Sequence, residues 1–140
     1  MNVLVIDGQG GQLGGQIIKL LKTNFAELDI TAVGTNATAT ANMLKAGAKQ
    51  AATGENSVVV ACRKADIIIG PVGIVVADAM LGEVTPQMAT AVGQAEAVRL
   101  LLPVNKCDNI IVGIPDISVT DILQDMLIKV KALIAKGKVC

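Results

Sequence analysis

The chain has 140 residues, enough for one domain around one core. It is 52% apolar and 17% charged, contains no His, Tyr or Trp, and has Phe25 as its single aromatic residue. These figures exclude disorder, histidine acid–base chemistry, Ser-His-Asp triads, His-ligated zinc, a tyrosine acid and aromatic base-stacking platforms. Twelve basic residues balance twelve acidic ones, so the chain has no electrostatic footprint for nucleic acid, and none is expected as a partner.

In chain order, short Val/Ile/Leu runs alternate with longer segments that carry helix-end signals, the pattern of βα units around a parallel sheet. Strands are predicted over Asn2–Asp7, Asp29–Val33, Lys49–Ala52, Asp66–Gly70, Arg99–Val104 and Asn109–Val112. Helices are predicted over Leu13–Thr23, Thr38–Ala46, Asn56–Lys64, Ile74–Leu81, Pro86–Val98 and Val119–Lys136. The strand runs are continuously apolar, as in a sheet covered on both faces. Gly47, Gly82 and Gly137 stand where helices close, Pro86 follows Thr85 as a first helical residue, and Ser118 with Asp121 reads as a capping pair. There is no repeat or linker. The expected architecture is a single α/β domain over residues 1–140: three-layer, Rossmann-like and doubly wound, with a mainly parallel sheet of five or six strands.

Met1–Asp7 lacks the basic region of a secretory signal, and the longest uncharged apolar stretch, Ile67–Ala77, has eleven residues interrupted by Gly70, Pro71 and Gly73. No membrane association is expected. Cys62, Cys107 and Cys140 form no CxxC pair and are odd in number, which suits reduced thiols in a cytoplasmic protein.

The sharpest motif is Val3-Leu4-Val5-Ile6-Asp7-Gly8-Gln9-Gly10-Gly11-Gln12-Leu13-Gly14-Gly15, with five glycines in the eight residues from Gly8 to Gly15. A strand enters a glycine-rich turn that opens a helix. Such a turn allows close backbone approach to a pyrophosphate and presents helix N-terminal amides to the anion. Gly8, Gly11 and Gly14 form GxxGxxG, and no Lys-Ser or Lys-Thr follows, which excludes a P-loop. Gly8, Gln9, Gly10, Gly11, Gln12, Leu13 and Gly14 are the expected cofactor-binding residues, although glycines here also serve helix–strand packing. Asp7 adds negative charge in front of the loop, and capping of loop amides is its expected role ahead of cation binding.

The end of the second predicted strand reads Val33-Gly34-Thr35-Asn36, with neither the acidic residue that favours NAD nor the arginine that favours NADP. Thr35 and Asn36 remain candidates for ribose or phosphate contacts, or for capping the next helix. Gly70, Gly73 and Asn105 follow other strands and would converge on the same crevice. NAD or NADP is therefore the cofactor to test, and no metal is expected. Asn105-Lys106-Cys107-Asp108 places an ammonium, a thiol and a carboxylate within three residues, so Lys106, Cys107 and Asp108 are the catalytic candidates. No histidine is present to serve as a base.

The glycine loop resembles that of extended short-chain dehydrogenases, especially sugar-nucleotide reductases, but their tyrosine acid is missing. From end to end the chain resembles a family of short bacterial proteins of unknown function with a Rossmann-like fold. The residues that carry this likeness are Ile6–Gly11, Thr31–Asn36, Thr53–Asn56, Asp66–Ala89 and Pro103–Cys107, with Gln12 standing where that pattern often has glycine. The resemblance implies a bacterial, stand-alone domain and transfers no activity.

The leading expectation is a nucleotide- or dinucleotide-binding module. The alternatives are a small NAD(P)-dependent oxidoreductase or transferase using Lys106, Cys107 or Asp108, and a structural or interaction subunit with an empty glycine loop. A mean hydropathy of +0.60 suggests apolar surface covered by self-association, most simply in a homodimer.

Overall fold

The computed structural model describes residues 1–104 and 108–137. Among these residues five strands form one sheet: β1 (Asn2–Asp7), β2 (Asp29–Gly34), β3 (Gln50–Thr53), β4 (Ile67–Pro71) and β5 (Val98–Leu102). They pair in the order β3-β2-β1-β4-β5, and every pairing is parallel. The chain winds outward from β1 through β2 to β3, then returns to lay β4 on the other side of β1. The topological switch point therefore lies between β1 and β4, at the carboxyl end of the central strand.

Among the described residues, five α-helices cover the sheet: α1 (Gln12–Asn24), α2 (Ala37–Ala46), α3 (Glu55–Cys62), α4 (Pro86–Gln94) and α5 (Val119–Lys136). Side-chain alternation along β1 divides the core in two. Val3 and Val5 join Ile67, Ile69, Ile17, Ile18, Leu21, Met43 and Met126 beneath α1, α2 and α5. Leu4 and Ile6 join Ile68, Val58, Ile74, Met88 and Val92 beneath α3 and α4. Because both faces are buried, all five β4 residues are buried, as the unbroken apolar run requires.

Helix starts follow side-chain chemistry. Asn36 accepts the Ala39 N–H at 2.8 Å to begin α2, Thr85 accepts that of Met88 at 3.1 Å before Pro86 begins α4, and Ser118 accepts that of Asp121 at 3.1 Å to begin α5. The predicted bounds of β1 and α5 match the structure, and most of the others shift by one or two residues.

Two expected elements do not form. The predicted helix Ile74–Leu81 is replaced by a short 3-10 turn, Val72–Val75, and a series of tight turns. Asp78, Met80 and Leu81 take left-handed backbone conformations that end any right-handed helix, and the Asp78 N–H bonds the Val84 carbonyl at 2.7 Å. Ile74, Ala79 and Met80 are nevertheless buried, as is Val84 just beyond the segment, whereas Leu81 is fully exposed. The predicted strand Asn109–Val112 is absent as well. A turn closed by Ile114 N–H to the Ile111 carbonyl, with Gly113 at φ 87, cuts the segment short, and Ile110 and Val112 are 89% and 93% exposed. The predicted helix Pro86–Val98 ends at Gln94, and Val98 opens β5.

Ile69 is fully buried at the centre of the sheet. Truncating Ile69→Ala should cost about 3 kcal/mol of unfolding free energy, measured by urea denaturation, whereas a loss below about 1 kcal/mol would show that the two-sided core does not hold the sheet together.

Candidate functional site

The site starts from the alternation along β1. Asp7 shares the parity of Val3 and Val5, so its side chain falls on the α1 face, beneath the start of that helix. It is 5% exposed. Its two carboxylate oxygens divide the work: Oδ1 accepts the Gly8 N–H at 2.8 Å and Oδ2 accepts the Gly14 N–H at 2.7 Å. Burial pushes the Asp7 carboxyl above its ordinary value. The Gly14 and Gly8 amides act against that rise, and the charge of Glu83 adds to it. Asp7 thus caps loop amides, and no group of three or more His, Cys, Asp or Glu among the described residues is arranged to hold a metal.

The three glycines of GxxGxxG are each required by the protein's own packing. A Cβ on Gly8 would lie 2.5 Å from Thr35 Oγ1 and 2.7 Å from Met80 Sδ, and one on Gly14 would lie 2.5 Å from Met43 Sδ. Gly11 combines φ 71 with a Cβ position 2.7 Å from the Ala39 backbone, so a side chain there would strain the turn and push α1 from α2. Gly10 differs: a Cβ there meets nothing within 4 Å. At the start of α1 the amides of Gly10, Gln12 and Leu13 have no partner among the described residues, while those of Gly8, Gly11 and Gly14 are taken by Asp7 and the Gly8 carbonyl.

A residue from far along the chain completes the site. Glu83 lies in the turns between β4 and α4 and sends one oxygen, Oε1, to three donors: Gln9 N–H at 2.9 Å, Thr35 Oγ1–H at 2.7 Å and an Asn36 Nδ2–H at 2.7 Å. Asn36 also donates to the Gln9 carbonyl at 2.9 Å. Burial alone would raise the Glu83 carboxyl, but the bonds from Gln9, Thr35 and Asn36 together hold it below its ordinary value. Glu83 thus brings a carboxylate to the end of β2 from a different element. No local pattern marks it, and only the fold brings it to the loop.

The other expected site residues divide. Thr35 and Asn36 meet the glycine loop through Glu83, and Gly8 abuts them. Gly70 is buried within β4, where a Cβ would lie 2.4 Å from the Ile6 carbonyl oxygen, and Gly73 is buried in the 3-10 turn. Asn105, Lys106 and Cys107 lie outside the described residues, and Asp108 is exposed. Cys62 belongs to the core, where burial pushes its thiol up to about 11, far from a thiolate at neutral pH. Two surface grooves, of about 540 and 580 Å³, run beside α3, one along β2 and β3 and the other toward α4; neither includes a glycine-loop residue. Met80 and Glu83 pack against the Gly8 end of the loop.

A five-stranded parallel sheet covered on both faces, with a glycine turn at the carboxyl end of its central strand, defines a Rossmann-like α/β protein. The chain belongs to the family described as a domain of unknown function (DUF3842), whose model matches residues 2–135. Among curated proteins and solved structures, none matches it. No helix among the described residues is long and apolar enough to cross a membrane.

Glu83 has a testable signature in acid. A carboxyl held below its unfolded value stabilises the fold above that value and loses the contribution as pH falls through the folded one. The stability advantage of the native protein over Glu83→Gln should therefore be constant at neutral pH and shrink below about pH 4.5 in thermal melts. An advantage that grows on acidification would contradict the hydrogen-bonded carboxylate.

Proposed function

We propose that this protein is a nucleotide-binding module that holds the phosphates of a dinucleotide such as NAD or NADP at the start of α1. The observation that carries this reading is the set of three amides, Gly10, Gln12 and Leu13, without partners among the described residues at the N-terminus of α1, beside the switch point. Gly10 adds open space for a phosphate to approach the backbone.

The buried Asp7 shapes what such a site does. Its charge beneath the loop opposes an anion, so the module binds its ligand weakly and reversibly unless a second chain contributes contacts. Its role is binding rather than catalysis: Asp7 and Glu83 are engaged with amides and hydroxyls, and Cys62 is a buried neutral thiol. The small-oxidoreductase alternative rests on Lys106, Cys107 and Asp108, whose chemistry would have to be supplied by the segment after β5.

We further propose that the molecule works in the cytoplasm as a homodimer. Ile110, Val112 and Leu81 are 89%, 93% and 100% exposed, while Ile114 and Ile117 add further exposed apolar surface to the segment before α5. This is the surface that self-association would cover.

Gly10→Val offers a cleaner test than any change at Gly11, which would disturb α2. The variant should melt within a few degrees of the native protein and bind ADP-ribose at least about tenfold more weakly by calorimetry. Unchanged affinity in a folded variant, or no ADP-ribose binding by the native protein at millimolar ligand, would remove the glycine loop from this role.

A further inference from the structure

We propose that the outer face of α3 is a self-docking surface, on which a second copy of this chain packs its own α3 antiparallel across a two-fold axis at Val59. The proposal stands apart from the nucleotide reading. It uses a different surface from the apolar segment before α5, since α3 and α5 cover opposite faces of the sheet.

α3 stands as a ridge between two grooves. Val60 and Lys64 wall the groove of about 540 Å³ toward β2 and β3, and Val59 and Arg63 wall the groove of about 580 Å³ toward α4. Val58 and Cys62 are buried, so the core accounts for them. It does not account for Val59 and Val60, which are only partly buried and border the grooves. A β-branched residue is a poorer helix former than alanine, and a helix of eight residues has little stability of its own to lose. An outward pair of valines on so short a helix is therefore explained by contact rather than by helix formation.

The same face carries charges that match one another in reverse. Glu55, Val59 and Arg63 follow at i, i+4 and i+8, and Arg63 keeps a helical backbone at φ −69 and ψ −23. They form one row along the helix surface, acidic at the start, apolar in the middle and basic at the end, with Asn56, Val60 and Lys64 as the row beside it. The side chains of Glu55, Arg63 and Lys64 make no hydrogen bond or ion pair among the described residues. Nearby, Lys49 and Asp29 neutralise each other at 2.9 Å, and Glu96, which lines the groove toward α4, makes no ion pair with Arg63.

The occupant that answers this pattern is a second copy. Glu55 and Arg63 lie at equal spacing on either side of Val59, about 6 Å along the helix axis in each direction. A half-turn about an axis at Val59 sets the Glu55 of each copy against Arg63 and Lys64 of the other and brings the two Val59 side chains together. The contact is isologous, so one sequence supplies both halves of every pair. It also opposes the two helix dipoles and lets the ridge of each copy enter a groove of the other. Parallel packing of the same two helices would set like charges together.

The test is native mass spectrometry with light scattering on the native protein, Glu55→Lys, the double variant Arg63→Glu/Lys64→Glu, and Val59→Lys, which puts two like charges at the axis. Thermal melts first establish which variants are folded. Each folded variant alone should show half the native mass, with a dissociation constant at least about tenfold higher, because both symmetric contacts are lost at once. Mixing Glu55→Lys with Arg63→Glu/Lys64→Glu should restore the native mass, since both contacts in the mixed pair are again between opposite charges. Val59→Lys decides alone if either charge variant does not fold. Halving from tetramer to dimer, or from dimer to monomer, supports the α3 contact, and the first result retains the segment before α5 as a separate contact. A monomeric native protein, or a mixture of folded charge variants that stays at half mass, would overturn the proposal. A native mass unchanged in every folded variant would overturn it too, and would leave self-association to the segment before α5.

Discussion

One carboxylate ties the central strand to its helix. Asp7 stands at the last position of β1, its side chain is directed under α1 by the strand's own alternation, and it accepts the amides of Gly8 and Gly14. Those two amides lie at opposite ends of the glycine turn, so a single buried group fixes the path of the whole loop. The negative charge also complements the positive end of the α1 dipole, which offsets part of the cost of burying it. The rest of the site depends on this arrangement. Because the loop path is fixed, Gly8 meets the end of β2, Gln9 presents its amide to Glu83, and Gly11 seats α1 on α2.

The same interaction decides what remains for a ligand. Asp7 consumes two amides that a phosphate would otherwise use and leaves those of Gly10, Gln12 and Leu13. Glu83 then places a second carboxylate against the loop and the end of β2. A site with two fixed negative groups around a helix N-terminus discriminates by charge more than it gains in affinity.

Much of this was legible in the sequence where the signal is local. The apolar run Val3–Ile6 and the glycines after it give β1, the turn and the start of α1, and the Ser118 and Asp121 pair with the late lysines gives α5 with its bounds. What could not be read is what depends on contacts distant along the chain. The segment from Ile74 to Leu81 has helical composition, yet packing of Met80 and Val84 against α3 and α4 selects turns with left-handed residues over intrinsic preference. Asn109–Val112 has strand composition, but a turn at Gly113 interrupts it before it can pair with β5. Glu83 lies 74 residues from Gln9, so no spacing rule points to it. The motif glycines were legible as a motif, but not their surroundings: a Cβ on Gly8, Gly11 or Gly14 would meet protein atoms, whereas one on Gly10 would meet nothing within 4 Å.

The most direct measurement is an amide-resolved NMR titration of the ¹⁵N-labelled protein with ADP-ribose. The account predicts that the largest shifts fall on Gly10, Gln12 and Leu13, whose amides have no partner among the described residues, with smaller ones on Gly8 and Gly14, whose amides stay bonded to Asp7. Saturable shifts confined to the grooves beside α3, or no shifts at the start of α1, would contradict it.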